Sequence, residues 1–371
     1  MQTDPSVTGS RHESAAFASL VGATTPASNV GQQDYLIDST RFPSEGNWAF
    51  CRFASDEVPA VRLGFQRGGF NAGAVERVPN PAYLQLHLEV MTREGALLWV
   101  PSGVHPANDV VSDPHAVDIR FAAGGREIFS LRGWPSIACH FRSDDGDLEA
   151  DLQFELQYVS VLPDCLLPYC VFAMWESMGD AHGEVRYRNR TISLQGKVFF
   201  DHPRVIERRH AVEPRQMYVY TTLYLEDGGG LFGYYSVDAR GQPIADYCFC
   251  VYVDAAGNGR LLRDGILGHL LLDEDDIATS WNVTWRDSVL SLSAHVTVER
   301  SAILRSWGRP DAPQTRRDFS IIPLVLHAVV RIEVADRPKE LRGYGLAEYF
   351  NADLWPTDPA CATTSESLRL K

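Results

Sequence analysis

A charged trio ends a strand-like stretch near the middle of the chain. The stretch is Leu194–Arg204, LQGKVFFDHPR, which finishes in Asp201 and His202, with Arg204 two residues further on. A carboxyl, an imidazole and a guanidinium can donate, accept or hold charge, as acid–base catalysis requires. We therefore take Asp201, His202 and Arg204 as catalytic candidates, and we expect all three to face an apolar cavity at the rim of a sheet.

A second acid and a set of aromatic residues are the other candidates. Glu348 lies in Leu341–Phe350, LRGYGLAEYF, among residues that are mostly apolar or small. A carboxyl buried there must be paired, hydrogen-bonded or shifted in pKa, so Glu348 is either a structural or a catalytic acid. Aromatic residues on many strands could line a barrel or fill an ordinary core. The candidates for substrate binding are Trp48, Trp175, Phe200, Tyr234, Tyr235 and Tyr344.

Period-2 alternation dominates the sequence from Tyr35 onward. In Leu148–Tyr158 the apolar residues occupy one face and the polar residues the other, which indicates a half-buried strand. The same alternation recurs in Tyr83–Met91, Val117–Phe121, Met217–Leu225, Leu231–Val237, Tyr247–Val253, Val289–Val298 and Leu324–Val334. Glycine-rich turns separate many of these stretches, and helical periodicity is nearly absent. The pattern predicts an all-β protein of antiparallel barrels or sandwiches.

Length and local composition predict two domains. A chain of 371 residues exceeds one typical core, so two domains of about 150–200 residues each are expected. Residues 1–34 are rich in Ser, Thr, Ala and Gly and are predicted to be a flexible N-terminal arm, with order beginning near Tyr35. Charge density rises and two prolines occur in Asp201–Arg215, so we place the boundary there, between domains 35–205 and 206–371.

Charge and cysteine content limit the class of partner. The net charge of −14, from 34 basic and 48 acidic residues, argues against a nucleic-acid-binding protein. The seven cysteines form no regular framework, the N-terminus does not resemble a signal peptide, and no stretch approaches a membrane span. We predict a cytoplasmic protein whose partner is a small hydrophobic substrate, and the sequence leaves the oligomeric state open.

The sequence contains no motif that convincingly indicates a cofactor site, a metal site or a nucleophilic serine. Gly228, Gly230 and Gly233 satisfy G-x-G-x-x-G, but a strand-like LFGYYSV follows where a dinucleotide site needs a helix. The eleven histidines include no HExxH and no His-x-His that would supply two ligands from one element. There is no Gly-x-Ser-x-Gly nucleophile elbow either. We predict no cofactor and no metal.

Four stretches, in order, carry a resemblance to a known superfamily. They are Ser44–Phe53 (SEGNWAFCRF), Leu194–Arg204, Leu223–Gly241 (LYLEDGGGLFGYYSVDARG) and Gly343–Glu348. In the first, Trp48 occupies an aromatic position; in the second, Gly196, Asp201 and His202 are in register. The chain thus resembles the two-domain, lipocalin-like superfamily of carotenoid 1,2-hydratase (hydroxyneurosporene synthase), AttH-type proteins and fungal decalin-forming Diels–Alderases. The resemblance implies two lipocalin-like antiparallel β-barrel domains packed side by side.

The resemblance also implies alternative functions. Arg204 stands where hydratase-like members have a tryptophan, and an arginine suits the polarisation of a carbonyl or enolate oxygen. This favours a cofactor-independent cyclase or isomerase, for example a Diels–Alderase-like pericyclase, acting on a hydrophobic polyene, terpenoid or polyketide of natural-product biosynthesis. One alternative is a hydratase or lyase in which Asp201 or Glu348 protonates an alkene. Another is a non-catalytic carrier of an apolar ligand.

Overall fold

The residues that the structure describes form two antiparallel sheets. The computed structural model describes residues 24–30, 44–67, 83–93, 97–100, 104–106, 110–113, 116–123, 125–143, 146–166, 170–187, 189–208, 215–238, 240–274, 277–301, 321–334 and 337–351. Within these ranges the helical elements are two short 3-10 helices, Ala27–Asn29 and Ala245–Tyr247. None of the helices in the described ranges is long and apolar enough to span a membrane. The prediction of an all-β protein is confirmed.

The first sheet contains thirteen strands. They are β1 (Thr24–Pro26), β2 (Ser44–Phe53), β3 (Ala60–Arg67), β4 (Tyr83–Met91), β5 (Leu97–Val100), β6 (Val104–Pro106), β7 (Val110–Ser112), β8 (Asp118–Ala123), β9 (Arg126–Arg132), β10 (Ser136–Arg142), β11 (Leu148–Leu166), β12 (Cys170–Tyr187) and β13 (Arg190–Arg208). Their order is β5-β4-β3-β2-β13-β12-β11-β10-β9-β8-β7, with β1 on β11 and β6 on β4. The long strand β13 therefore returns to pair with β2 and curls the sheet into a barrel-like shape.

The second sheet contains nine strands. They are β14 (Arg215–Leu225), β15 (Gly230–Asp238), β16 (Phe249–Val253), β17 (Gly259–Leu262), β18 (Asp264–Leu272), β19 (Ala278–Arg286), β20 (Leu290–Ser301), β21 (Ile321–Val334) and β22 (Arg337–Asn351). Their order is β17-β16-β15-β14-β22-β21-β20-β19-β18, so β22, the last strand that the structure describes, pairs with β14. Because β18 also lies against β15 and β16, this sheet is nearly closed.

Part of the predicted N-terminal arm is structured. Thr24–Pro26 forms β1 and pairs with Tyr158–Ser160 of β11, and the indole of Trp134 donates a hydrogen bond of 2.9 Å to the carbonyl of Val30. Ala27, in the same segment, is buried in the core of the first sheet. Order therefore begins before Tyr35. The sequence reasoning failed here because the three-residue strand Thr24–Pro26 is too short to show alternation and is held by its partner strand.

Alternation along the central strands produces three buried apolar regions. Ala49 and Cys51 of β2 pack inside the first sheet, whereas Trp48 and Phe50 point to its other face. That face packs on the second sheet, as the ring of Phe199 on that of Tyr224 illustrates, with centroids 4.6 Å apart. The three regions are the interior of the first sheet, the interior of the second sheet and the layer between the two sheets, which we call the inter-sheet layer. Its apolar residues are Trp48, Phe50, Ala60, Met91, Met174, Met178, Phe199, Tyr218, Tyr220, Tyr224, Phe232, Tyr234, Tyr247, Phe249, Val251, Val253, Val325 and Leu346.

Gly196 allows β13 to approach β2 closely. A Cβ at Gly196 would meet the backbone oxygen of Arg52 well inside van der Waals contact. We expect Gly196→Ala to lower the free energy of unfolding by about 1–3 kcal/mol, because the backbone of one strand must move. Urea unfolding measures this, with Gly268→Ala as the matched control, since a Cβ at Gly268 meets nothing within 4 Å. Equal effects of the two substitutions would contradict the expectation.

Candidate functional site

Four carboxyl groups and one guanidinium lie in the inter-sheet layer. Arg62, Glu89, Glu176 and Asp201 come from β3, β4, β12 and β13 of the first sheet, and Glu348 comes from β22 of the second. The first four are buried, and the Glu348 side chain is 12% exposed. Arg62 is the one buried guanidinium or ammonium among the residues whose burial the structure describes. Full ionisation would thus leave an excess of buried negative charge, which is costly in an apolar layer.

Arg62 joins the two sheets. One of its terminal nitrogens lies 2.6 Å from a carboxylate oxygen of Glu348, and the other lies 3.3 Å from Glu89. The guanidinium also lies over the rings of Trp48 and Phe50, at 4.9 and 5.5 Å from their centroids. Since a charge-assisted hydrogen bond is normally shorter than about 3 Å, Glu348 is the principal partner of Arg62 and Glu89 the weaker one.

The weaker pairing of Glu89 affects its protonation. Burial raises the pKa of Glu89 from 4.5 to about 7, and the charge of Arg62 only partly opposes that rise. The neighbouring carboxylate of Glu348 raises this pKa further. Near neutral pH, Glu89 is therefore present in both protonated and ionised forms.

Glu176 and Asp201 form a second acidic group beside Arg62. They are directly opposite each other in the β12–β13 ladder and lie on the same face. The hydroxyl of Tyr220 donates a hydrogen bond to Glu176 across the layer. Burial raises the pKa of both carboxyl groups well above the ordinary values, and neighbouring carboxylates raise them further. The arrangement can hold a neutral carboxylic acid at physiological pH, which is what a general acid requires.

A narrow cleft reaches Arg62 and Glu89 from outside, and Glu176 and Asp201 are not among the residues that line it. It has a volume of about 300 Å³ including its open mouth, and it leaves about 10 Å³ for the centre of a water molecule. Its walls are mostly apolar, and two polar side chains, Arg62 and Glu89, face it. The lining residues are Phe50, Ala60, Arg62, Glu89, Met91, Leu346 and Ala347. A group entering this cleft would meet a fixed positive charge next to a titratable carboxyl.

The predicted trio does not converge on one cavity. Asp201 faces the inter-sheet layer, whereas His202 lies inside the first sheet, where its Nδ1 donates to the Oδ1 of Asn47 at 2.8 Å. The centroid of the His202 ring lies 5.7 Å from that of Trp175, which also packs inside the first sheet. The expectation of a shared cavity was wrong because successive side chains of a strand point to opposite faces. The backbone of Arg204 belongs to β13, but its side chain lies outside the described residues.

The six aromatic candidates are also divided between regions. Trp48 and Tyr234 lie in the inter-sheet layer, and Trp175 and Phe200 lie inside the first sheet. Tyr235 is buried on the face of β15 opposite to Tyr234. Tyr344 is 37% exposed, and its ring lies 6.1 Å from that of Tyr224. Of the predicted site residues, the structure therefore brings Trp48, Asp201, Tyr234 and Glu348 into one layer.

Sequence reasoning missed Arg62, Glu89, Glu176 and Tyr220. The signal that singled out Glu348, a charged residue within an apolar strand, is also present in AVRLGF, LQLHLEVM and VFAMWESM. Applied to every strand, the same rule finds Arg62, Glu89 and Glu176. Tyr220 carries no such signal, because tyrosine is common in strands.

One set of residues has the ligand types of a metal site. Among the described residues, His140, Glu149 and Asp151 bring their ligand atoms within 4.8 Å of one another on β10 and β11. Arg186 donates to Asp151 and lies 3.6 Å from Glu149, so a guanidinium already compensates these carboxylates. The contacts fit a surface ion-pair cluster.

Comparison with known proteins defines the fold. No family model matches the sequence, and no curated protein matches it. A solved AttH-like protein from Nitrosomonas europaea superposes with a TM-score of 0.58 and 11% identity, over 85% of this chain and 94% of its own. Kievitone hydratase from Nectria haematococca superposes with a TM-score of 0.52 and 11% identity, over 90% of this chain and 97% of its own. The chain therefore has the two-barrel lipocalin-like fold, and the resemblance noted in the sequence is confirmed for the fold.

Proposed function

We propose that the protein is a cofactor-independent enzyme that uses a buried carboxylic acid to cyclise or isomerise a hydrophobic polyene, terpenoid or polyketide intermediate of natural-product biosynthesis. The observation that carries the proposal is the excess of buried carboxyl groups over buried cations in the inter-sheet layer. An acid kept neutral in an apolar, aromatic environment still carries its proton at physiological pH, so it is available to protonate a substrate that offers an alkene or an enol.

The chemistry needs no co-reactant. The O–H bond of the neutral carboxyl at Asp201 breaks as a C–H bond forms on the substrate alkene, which leaves a cation on the adjacent carbon. Aromatic rings of the inter-sheet layer that do not hold the Arg62 guanidinium, such as those of Tyr220 and Tyr234, can stabilise positive charge on that carbon. In a cyclisation, attack of a second alkene on this cation closes the ring and moves the cation to another carbon. In both the cyclisation and the isomerisation, a carbon next to the cation then loses a proton to the carboxylate of Asp201, which forms a new C=C bond and restores the acid. Arg62 takes the role that the sequence suggested for Arg204, which is to polarise a substrate oxygen.

The proposed domains, residues 35–205 and 206–371, correspond to the first and the second sheet, except that β1 precedes the first range and the end of β13 extends past it to Arg208. The proposed function needs both domains, because Asp201, Glu89 and Arg62 come from the first sheet whereas Glu348 and Tyr220 come from the second. The acidic group therefore forms only when the two sheets pack together.

A hydratase is the second candidate function. The cleft beside Arg62 and Glu89 has room for a water molecule, and water could capture the same cation in place of an internal alkene. Kievitone hydratase, whose name states its reaction, shares the fold but only 11% of the sequence, so it adds no argument about this chain's substrate. A pericyclase and a non-catalytic ligand carrier remain the alternatives without proton transfer.

Deuterium labelling and one substitution test the proposal. Purified protein is incubated in D₂O with a series of conjugated polyenes, terpenoids and polyketide enones, in buffer free of metal and nucleotide. We expect deuterium on carbon in the product, with mass gain revealing added water in the hydratase case. Asp201→Asn should reduce turnover by about 10²–10⁴-fold, the usual contribution of a general acid. Turnover without label would support a pericyclase, and binding without turnover a carrier; either result would overturn acid catalysis.

A further inference from the structure

The carboxyl groups of Glu176 and Asp201 are close enough to share a proton. Residues directly opposite each other on one face of an antiparallel pair have Cβ atoms about 4.5–5.5 Å apart, within reach of a carboxyl–carboxyl contact. Glu176 is 2% exposed and Asp201 6%, so water does not screen their mutual repulsion. Two carboxylates held in this way cannot both be ionised without a large cost.

The hydrogen bonds of the pair indicate the number of protons. One oxygen of Glu176 accepts from the Tyr220 hydroxyl, and the backbone N–H of Trp48 donates to Asp201. The remaining oxygens, Oε2 of Glu176 and Oδ1 of Asp201, are buried without a hydrogen-bond partner. A proton on either of these two oxygens makes it the donor that the other one lacks. A second proton would have no acceptor, because the other oxygens already face donors.

We propose that Glu176 and Asp201 share a single proton between Glu176 Oε2 and Asp201 Oδ1, and that this carboxyl pair is the acid of the enzyme. The catalytic part of the inference rests on the proposed function; the shared proton does not. Asp201 is the residue that gives the proton to the substrate, and Glu176 is a positioning residue that keeps the proton on the pair at neutral pH. Tyr220 anchors the pair to the second sheet.

Infrared spectroscopy of the carboxyl C=O stretch tests the shared proton without any substrate. The full chain is measured at pH 8.5, where Glu89 is mostly ionised, so that a protonated carboxyl band reports the pair. We expect Glu176→Gln to remove the whole band, because the amide donates to Asp201 and leaves it ionised. Glu184→Gln is the matched control and should leave the band unchanged, because the Glu184 side chain on β12 is 41% exposed and pairs with Arg186.

Other outcomes overturn the proposal in distinct ways. Loss of half the band in Glu176→Gln would mean that the two acids are protonated independently. An unchanged band would place the proton elsewhere, and no band in the wild type would mean that both are ionised. Unfolding of Glu176→Gln is checked by circular dichroism, and Tyr220→Phe, which keeps both carboxyls, provides the second variant, in which the band should persist at a shifted frequency.

A turnover profile separates this inference from the proposed function. We expect Glu176→Gln to move the fall of kcat with rising pH downward by about one pH unit or more, which is about a tenfold loss at a fixed pH on that limb. Activity should return in acid. An unmoved profile would contradict a positioning role for Glu176, whereas a chain with the predicted infrared result but no turnover would refute only the proposed function.

Discussion

Replacing Arg62 with methionine is expected to lower the free energy of unfolding by about 3–5 kcal/mol at pH 8, the usual cost of removing one partner from a buried ion pair. Arg62 is 6% exposed and bridges Glu89 and Glu348. Without it, both carboxyls remain in an apolar layer with no compensating charge. Urea unfolding followed by tryptophan fluorescence measures the change.

The same variant should be less damaged in acid. Glu89, with its pKa at about 7, is neutral at pH 5 and then needs no cation. Arg190→Met removes an exposed ion pair with Glu57 and serves as the control, for which we expect no measurable change. A loss for Arg62→Met that is the same at pH 5 and pH 8 would show that packing, not charge, accounts for the effect.

Replacing Glu89 with glutamine is expected to make the stability of the protein less dependent on pH. The folded pKa of about 7 lies above the ordinary value of 4.5, so folding favours the protonated form. The contribution of this group to stability is complete below about pH 4.5 and is lost as the pH rises through 7. The difference between the two pKa values corresponds to roughly 3 kcal/mol. Relative to the wild type, Glu89→Gln should therefore gain up to that amount between pH 4.5 and pH 8.5.

The slope of this gain is the test, since any change in the hydrogen bond to Arg62 adds a constant at every pH. Unfolding free energies are measured at several pH values for the wild type, Glu89→Gln and Glu184→Gln. The side chain of Glu184 is 41% exposed and pairs with Arg186 outside the inter-sheet layer, so we expect the curve of the last variant to run parallel to the wild-type curve. A Glu89→Gln curve parallel to the wild type would mean that Glu89 is ionised throughout and that Arg62 compensates it fully.

Much of the strand content could be predicted because alternation is local. The stretch Tyr83–Met91 is strand β4 with the bounds expected from the sequence. The prediction was less accurate where the strand's surroundings decide its length. Leu148–Tyr158 continues as β11 to Leu166, because β12 pairs with it up to that residue. The predicted strand Tyr247–Val253 begins too early. Tyr247 is the last residue of the 3-10 helix Ala245–Tyr247, and the strand starts at Phe249.

The candidate site was predicted only in part for the same reason. Asp201 and Glu348 were recognised because a carboxyl within an apolar strand is visible in the sequence. Their meeting with Arg62 was not, because that contact joins β3 to β22, strands of different sheets. The grouping of Asp201 with His202 was wrong, since closeness along a strand separates side chains instead of bringing them together.

The amino-acid sequence alone determined where strands form and which residues of a strand share a face, because the two-residue repeat of a strand assigns each side chain to one side. Only the tertiary structure decided that the second face of the first sheet is buried against another sheet. That packing removes water from Glu89, Glu176, Asp201 and Glu348 around a single guanidinium. Desolvation is a property of the assembled layer, and it is what turns ordinary carboxylates into candidate acids.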